Sequence, residues 1–162
     1  MDQPIWQKQT SAYFNNDLFI IKAFSGYRAG LMDPLAHDYC LAPDCSNAEL
    51  GQALLSSLAE SRALPIEEDR ALAMDHSYYP EWIKSLMERY GYKTKRALFR
   101  KMHSCDIELN DGMITIEPTH HDKLEGWSGD GFTEQDYVKV PADSPPEEIG
   151  AALRLAFSRC TG

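Results

Sequence analysis

The chain is 162 residues long, 43% hydrophobic and 25% charged, a globular composition with length enough for one well-buried core. That excludes a disordered tail, a collagen-like rod and a disulfide miniprotein. Sixteen Lys and Arg stand against 25 Asp and Glu, a formal net charge of −9, so no general grip on nucleic acid is expected and a basic partner fits better than an acidic one.

The N-terminal segment MDQPIWQKQTSAYFNNDLF has no basic flank followed by a long apolar run, and the best later run, Leu18 to Ile21, stops at Lys22. Neither a secretory signal nor a membrane span is expected. The compartment that follows is the reducing cytoplasm, where Cys40, Cys45, Cys105 and Cys160 read as thiols.

Asp17 to Phe24 is rich in β-branched and aromatic residues and reads as a strand bounded by Asn15-Asn16 and Ser25-Gly26. Ser46 opens a helix to about Arg62, with Glu49 in capping-box position and Leu50, Ala53, Leu54 and Leu58 on one face. Residues 65 to 76 suggest a short helix with Pro65 near its start and acids in its first turn. Pro80 to Tyr90 forms another, with an apolar stripe of Trp82, Ile83, Leu86, Met87 and Tyr90 and Gly91 as its stop. A short basic helix, Thr94 to Arg100, follows.

Cys105 to Leu109 and Met113 to Glu117 alternate apolar and polar residues about Asn110-Asp111-Gly112, a hairpin signal. The Gly-rich loop GWSGDGF, Gly126 to Phe132, leads to a strand near Tyr137 to Val140. Pro145-Pro146-Glu147-Glu148 opens a last helix whose apolar face is Ile149, Ala152, Leu153, Ala156 and Phe157.

Two larger patterns overlie these elements. Tyr39 to Leu58 and Val138 to Phe157 echo each other at an offset of 99, which places Glu49 on Glu148, Leu50 on Ile149, Gly51 on Gly150 and Leu54 on Leu153. Two strand-loop-strand-helix pseudo-repeats, about 18–62 and 113–159, with a helical insertion at about 66–100, are the economical reading. The expected fold class is α+β: one domain over 1–162, with a largely antiparallel or mixed sheet of about six strands and packed helices. Gly51 and Gly150 each cost a helix up to about 1 kcal/mol relative to Ala, so close packing is the expected reason for them.

The second pattern is charge. Residues 93 to 102 carry Lys93, Lys95, Arg96, Arg100 and Lys101 and no acid, whereas residues 103 to 148 carry twelve acids and only Lys123 and Lys139, a net of −10. Such a block is either a solvated face that keeps the protein soluble or a surface that attracts and orients a basic protein.

No catalytic set assembles from the sequence. His120-His121-Asp122 lacks any metal-ligand spacing, and adjacent residues on a strand point to opposite faces. Cys40 and Cys45 have no second pair at zinc-site spacing. GWSGDG lacks the phosphate-loop Lys, and its Asp130 would repel phosphate. That loop either presents Trp127 and Asp130 outward, as interface material, or uses Trp127 to close the core beneath it. No cofactor is implied.

The stretch YGYKTKRALFRKMHSCDIELNDGMITIEPTHHDKLEGWSGDGF, with EEIGAALRLAFSRC after it and SGYRAGL and ELGQALLSSLAESR before it, resembles the immunity proteins of bacterial contact-dependent growth inhibition (CDI) systems. The resemblance runs from about Ala12 to Cys160. It implies a cytoplasmic, non-enzymatic protein that binds and blocks the C-terminal toxin domain of a matching inhibitor protein, commonly a basic nuclease. It supplies no catalytic residues. Charge and expected exposure single out Glu117, Asp122, Glu125, Trp127, Asp130, Glu134 and Asp136 as partner-binding residues. Two other classes compete: a small enzyme using His120, His121 and Asp122, and a nucleic-acid-binding module using the Lys93 to Lys101 helix, which the flanking acids disfavour.

Overall fold

The computed structural model describes residues 6–162; the first five, part of the segment read for a secretory signal, lie outside the described residues. Strands β1 (Lys8–Phe14) and β2 (Phe19–Ser25) form an antiparallel hairpin. Its turn is held by Asn15, whose Oδ1 accepts from the Asp17 and Leu18 amides at 3.0 and 3.1 Å. This turn is why the strand expected from Asp17 begins at Phe19. Two short strands, β3 (Leu31–Met32) and β4 (Asp38–Leu41), both pair with β2.

Helices α1 (Asn47–Glu60), α2 (Ile66–Met74), α3 (Tyr78–Tyr90) and α4 (Lys95–Phe99) follow. The Ser46 hydroxyl caps α1 by accepting from the Glu49 amide. A second hairpin, β5 (His103–Asn110) and β6 (Met113–Pro118), turns at Asp111 and Gly112, both with positive φ (51° and 74°), the conformation that tight hairpin turns need. A separate small hairpin, β7 (His120–Lys123) with β8 (Gly126–Ser128), comes next. The first three residues of the expected Gly-rich loop are therefore strand. After a 3-10 turn at Glu134–Asp136, β9 (Val138–Pro141) returns to pair with β6, and α5 (Pro146–Arg159) completes the fold.

Among the described residues the main sheet has seven strands in the order β3-β2-β1-β5-β6-β9, with β4 also on β2, and all its pairings are antiparallel. Read outward from the β1/β5 seam, each half is a hairpin, then a strand on its outer edge, then a helix. β1, which no sequence pattern marks, is central.

Helices α1 and α5 cover one face. Leu50, Leu54, Leu58, Ile149, Leu153 and Phe157 meet Ala12, Ile21, Cys105, Ile107, Ile114 and Ile116 of the sheet, and each large apolar side chain so buried stabilises the fold by about 1.5–3 kcal/mol. On the opposite face, α3 and α4 pack Trp82, Ile83, Leu86, Leu98 and Phe99 on Tyr13, Leu18 and Ile20, covering the β1/β2 end.

The two glycines of the helix pair explain how closely α1 and α5 lie. A Cβ on Gly51 would sit 1.8 Å from the Pro146 carbonyl oxygen, and one on Gly150 would sit 1.9 Å from that of Asn47. Asn47 and Pro146 are themselves 99 residues apart. Helix propensity alone favours alanine at either site by up to about 1 kcal/mol, but the obstructing atoms are backbone, so overpacking of about 1–3 kcal/mol or more decides the sign. Gly51→Ala and Gly150→Ala should each lower the unfolding free energy in urea titration; an increase would refute the close-contact account.

Candidate partner-binding surface

The sheet face covered by α3 and α4 at one end is, among the described residues, bare at the other. Period-2 alternation puts Ser11 of β1, Asp106 and Glu108 of β5, Thr115 and Glu117 of β6 and Lys139 of β9 on that side, opposite the core residues Cys105, Ile107, Ile114, Ile116, Val138 and Val140. Asp106 lies directly across the ladder from Glu117, and Glu108 from Thr115. Glu108, Asn110, Thr115, Glu117, Glu134, Tyr137 and Lys139 line an open concavity of about 390 Å³.

The charges here are only partly compensated. Glu117 stands beside the Tyr137 phenol, and its charge holds that phenol above its ordinary pKa. Lys139 donates to Glu134 at 2.7 Å and keeps its carboxyl below the usual range. Asp106 receives only a long bond from the Ser11 hydroxyl, 3.4 Å. Partial dehydration in the sheet concavity, followed by repulsion from Glu117, raises its pKa, although its side chain reaches solvent.

The seven residues expected to contact a partner do not form one cluster. Glu117 and Glu134 share the concavity. Asp136, on the same 3-10 turn, has its carboxylate occupied by the Thr133 amide at 2.8 Å and its carbonyl by Arg159. Asp122 sits exposed at an irregularity in β7, and Asp130 is exposed after β8. Glu125, at the β7–β8 turn, pairs with Lys95 at 3.8 Å and lies close enough to Tyr79 to raise its pKa, so it faces both α3 and α4.

Of the two readings of Trp127, the inward one holds. Its Nε1 donates to the Met102 carbonyl at 2.8 Å, its ring meets Tyr13 edge-on at 5.7 Å, and His121 stacks on it at 5.2 Å and 15°. Trp127 therefore closes the second core and is not offered outward. The acidic face also holds Asp106, Glu108 and Tyr137, which the sequence did not single out. The alternation Cys-Asp-Ile-Glu-Leu already placed the two acids on one polar face, but not which face stayed uncovered.

The competing chemistries find no assembled site. His120 Nδ1 bonds Thr161 at 2.8 Å, His121 Nε2 bonds the Leu124 carbonyl at 2.9 Å, and among the described residues no group of three or more His, Cys, Asp or Glu could hold a metal ion. Nor, among those residues, is any helix long and apolar enough to cross a membrane.

The chain belongs to the CDI immunity protein family, whose profile matches residues 8–160. Among its relatives, Immunity protein CdiI-YPIII from Yersinia pseudotuberculosis serotype O:3 (strain YPIII) is 44% identical, over 94% of this protein and 94% of the relative. One component of the CdiA-CT/CdiI toxin and immunity complex from Yersinia pseudotuberculosis superposes with a TM-score of 0.86 at 39% identity, spanning 96% of this protein and 98% of that component. A protein of unknown function from Neisseria meningitidis superposes with a TM-score of 0.88 at 36% identity, over 99% and 98%. Family membership makes this an immunity protein and not an enzyme.

Two outcomes test the geometry. Trp127→Ala should cost about 3 kcal/mol of stability in chemical denaturation, as a core truncation does, where a purely superficial tryptophan would change it by less than about 0.5 kcal/mol. Asp106 has a folded pKa above its unfolded value of about 3.9, so its ionised form works against folding at neutral pH and is neutral in both states below that value. Asp106→Asn should raise stability by about 0.5 kcal/mol at pH 7, as relief of a like-charge cross-strand pair does, and the gain should vanish as pH falls below about 3.9.

Proposed function

We propose that this protein binds and neutralises the CdiA-CT toxin domain of its own system, in the cytoplasm, and that it docks the toxin on the acidic sheet face. The observation that carries this is the Asp106–Glu117 pair. Two carboxylates directly opposite on a strand pair weaken the sheet by a few tenths of a kcal/mol to about 1 kcal/mol, and no internal cation among the described residues offsets them. A lysine or arginine from a basic toxin would. Glu117 and Glu134 join Asp106 and Glu108 at the centre of the contact; Asp122, Asp130 and Asp136 extend the negative field, and Glu125 and Trp127 fix the β7–β8 hairpin beside it. The resemblance suggests a nuclease for the toxin, and nucleases, which bind polyanions, carry the complementary charge.

Complementary charge of this kind acts mostly on the association rate. In stopped-flow or surface binding with the toxin domain, the association rate should fall steeply with added salt, and Glu108→Lys with Glu117→Lys should lower it about tenfold or more. The double variant should also lose protection in a toxin co-expression assay. Tight binding indifferent to both salt and charge reversal would move the contact elsewhere.

A further inference from the structure

Cys105 and Cys160 are 55 positions apart in sequence, yet their sulfurs lie 3.7 Å apart. Cys105 is the third residue of β5, fully buried against α5. Cys160 ends α5, is only half-buried, and also approaches the Ser104 carbonyl at 3.5 Å. The other two thiols are placed differently: Cys40 faces α3, and Cys45 lies beside the Arg154 guanidinium. Only the Cys105–Cys160 pair brings two thiols into direct contact among the described residues.

The pair is asymmetric in a way that suits thiol–disulfide exchange. The half-buried member is the better nucleophile, because the hydrogen bond with Cys105 holds the Cys160 thiol below its ordinary pKa, while burial keeps Cys105 well above. Disulfide formation asks the sulfurs to close by about 1.7 Å, a movement within reach of a helix's last turn. Immediately after Cys160, the Thr161 backbone bonds His121 of β7 at 2.8 Å and Thr119 at 3.2 Å, so the closing movement starts from an ordered geometry.

We propose that Cys105 and Cys160 form a redox-responsive modification site that reacts with small-molecule disulfides of the glutathione type and closes into an intramolecular disulfide. The Cys160 thiolate attacks one sulfur of glutathione disulfide, forming a mixed disulfide and expelling one glutathione thiolate. Cys105 then loses its proton and attacks the Cys160 sulfur, expelling the second. Two protein thiols are oxidised, one glutathione disulfide is reduced, and the two protons pass to the departing thiolates. The product staples the end of α5 to the central strand β5 and closes a long loop that includes β6, β7, β8 and β9.

The test treats the full-length protein in its native state with glutathione disulfide, blocks the remaining thiols, and maps the peptides without reduction. The expected product is a Cys105–Cys160 cross-link, a mass loss of two hydrogens, and a melting midpoint raised by about 5–10 °C that dithiothreitol reverses. Cys105→Ala should stop at one glutathionyl group on Cys160, and Cys160→Ala should leave Cys105 unmodified. If either variant fails to fold, the wild-type map alone decides. A map with Cys160 unmodified, with Cys160 glutathionylated but never resolved, or with cross-links only through Cys40 or Cys45, overturns the proposal.

Discussion

The α1–α5 contact is the constraint on which the rest of the fold depends. Each helix presents a glycine to the other's first turn, and the backbones approach so closely that a methyl group has no room. That closeness lets a single layer of Leu, Ile and Ala side chains from both helices reach the sheet on either side of the β1/β5 seam. Were the helices a side chain's width further apart, one row of sheet residues, Ala12 and Cys105 at the seam, would lose its cover. Completing one face with two helices leaves α3 and α4 for the other, and they are too short to cover all of it.

Where α3 does cover the sheet, it encloses a charge. Lys22 is 1% exposed, and its ammonium is satisfied by the Ala36 carbonyl at 2.6 Å, the Asp38 carboxylate at 3.1 Å and the face of Tyr78. Trp82 donates to the same carboxylate at 2.9 Å. An unpaired buried ammonium would cost several kcal/mol, so Asp38 is required, and with it the placement of β4 and α3. The pair specifies which helix face docks, whatever its net contribution to stability.

Much of this was legible in the sequence, and what was not has physical causes. Ser46 with Glu49, the Asp111-Gly112 turn and the stripe Trp82-Ile83-Leu86 are local signals, and the structure follows them to within two or three residues. The strand β1 was hidden because it is central. Thr10, Ser11, Ala12 and Tyr13 are all buried, so alternation is lost, and their hydroxyls are satisfied by tertiary partners such as the Lys22 carbonyl and the Ser57 hydroxyl for Thr10. Trp127 was ambiguous for the same reason: the Met102 carbonyl that anchors it is brought there by the fold. The acids of β5 and β6 could be assigned to one face from alternation, but their exposure depends on where α3 ends.

One polar row crosses the whole sheet on that face and shows why its two ends differ. Strand by strand the register runs Asp38, Lys22, Ser11, Asp106, Glu117, and Tyr137 reaches Glu117 from the start of the last edge. The two halves place Lys22 and Glu117 in the same position, second from the seam. Beneath α3 the row is neutral, because desolvation penalises any uncompensated charge there. Beyond the seam water supports the ions, so two carboxylates can stand opposite each other at a modest cost. That cost has no return within the monomer. On the docking we propose, it is recovered when a partner's cation enters between them and water is displaced, which would couple a slightly weakened sheet to a faster association.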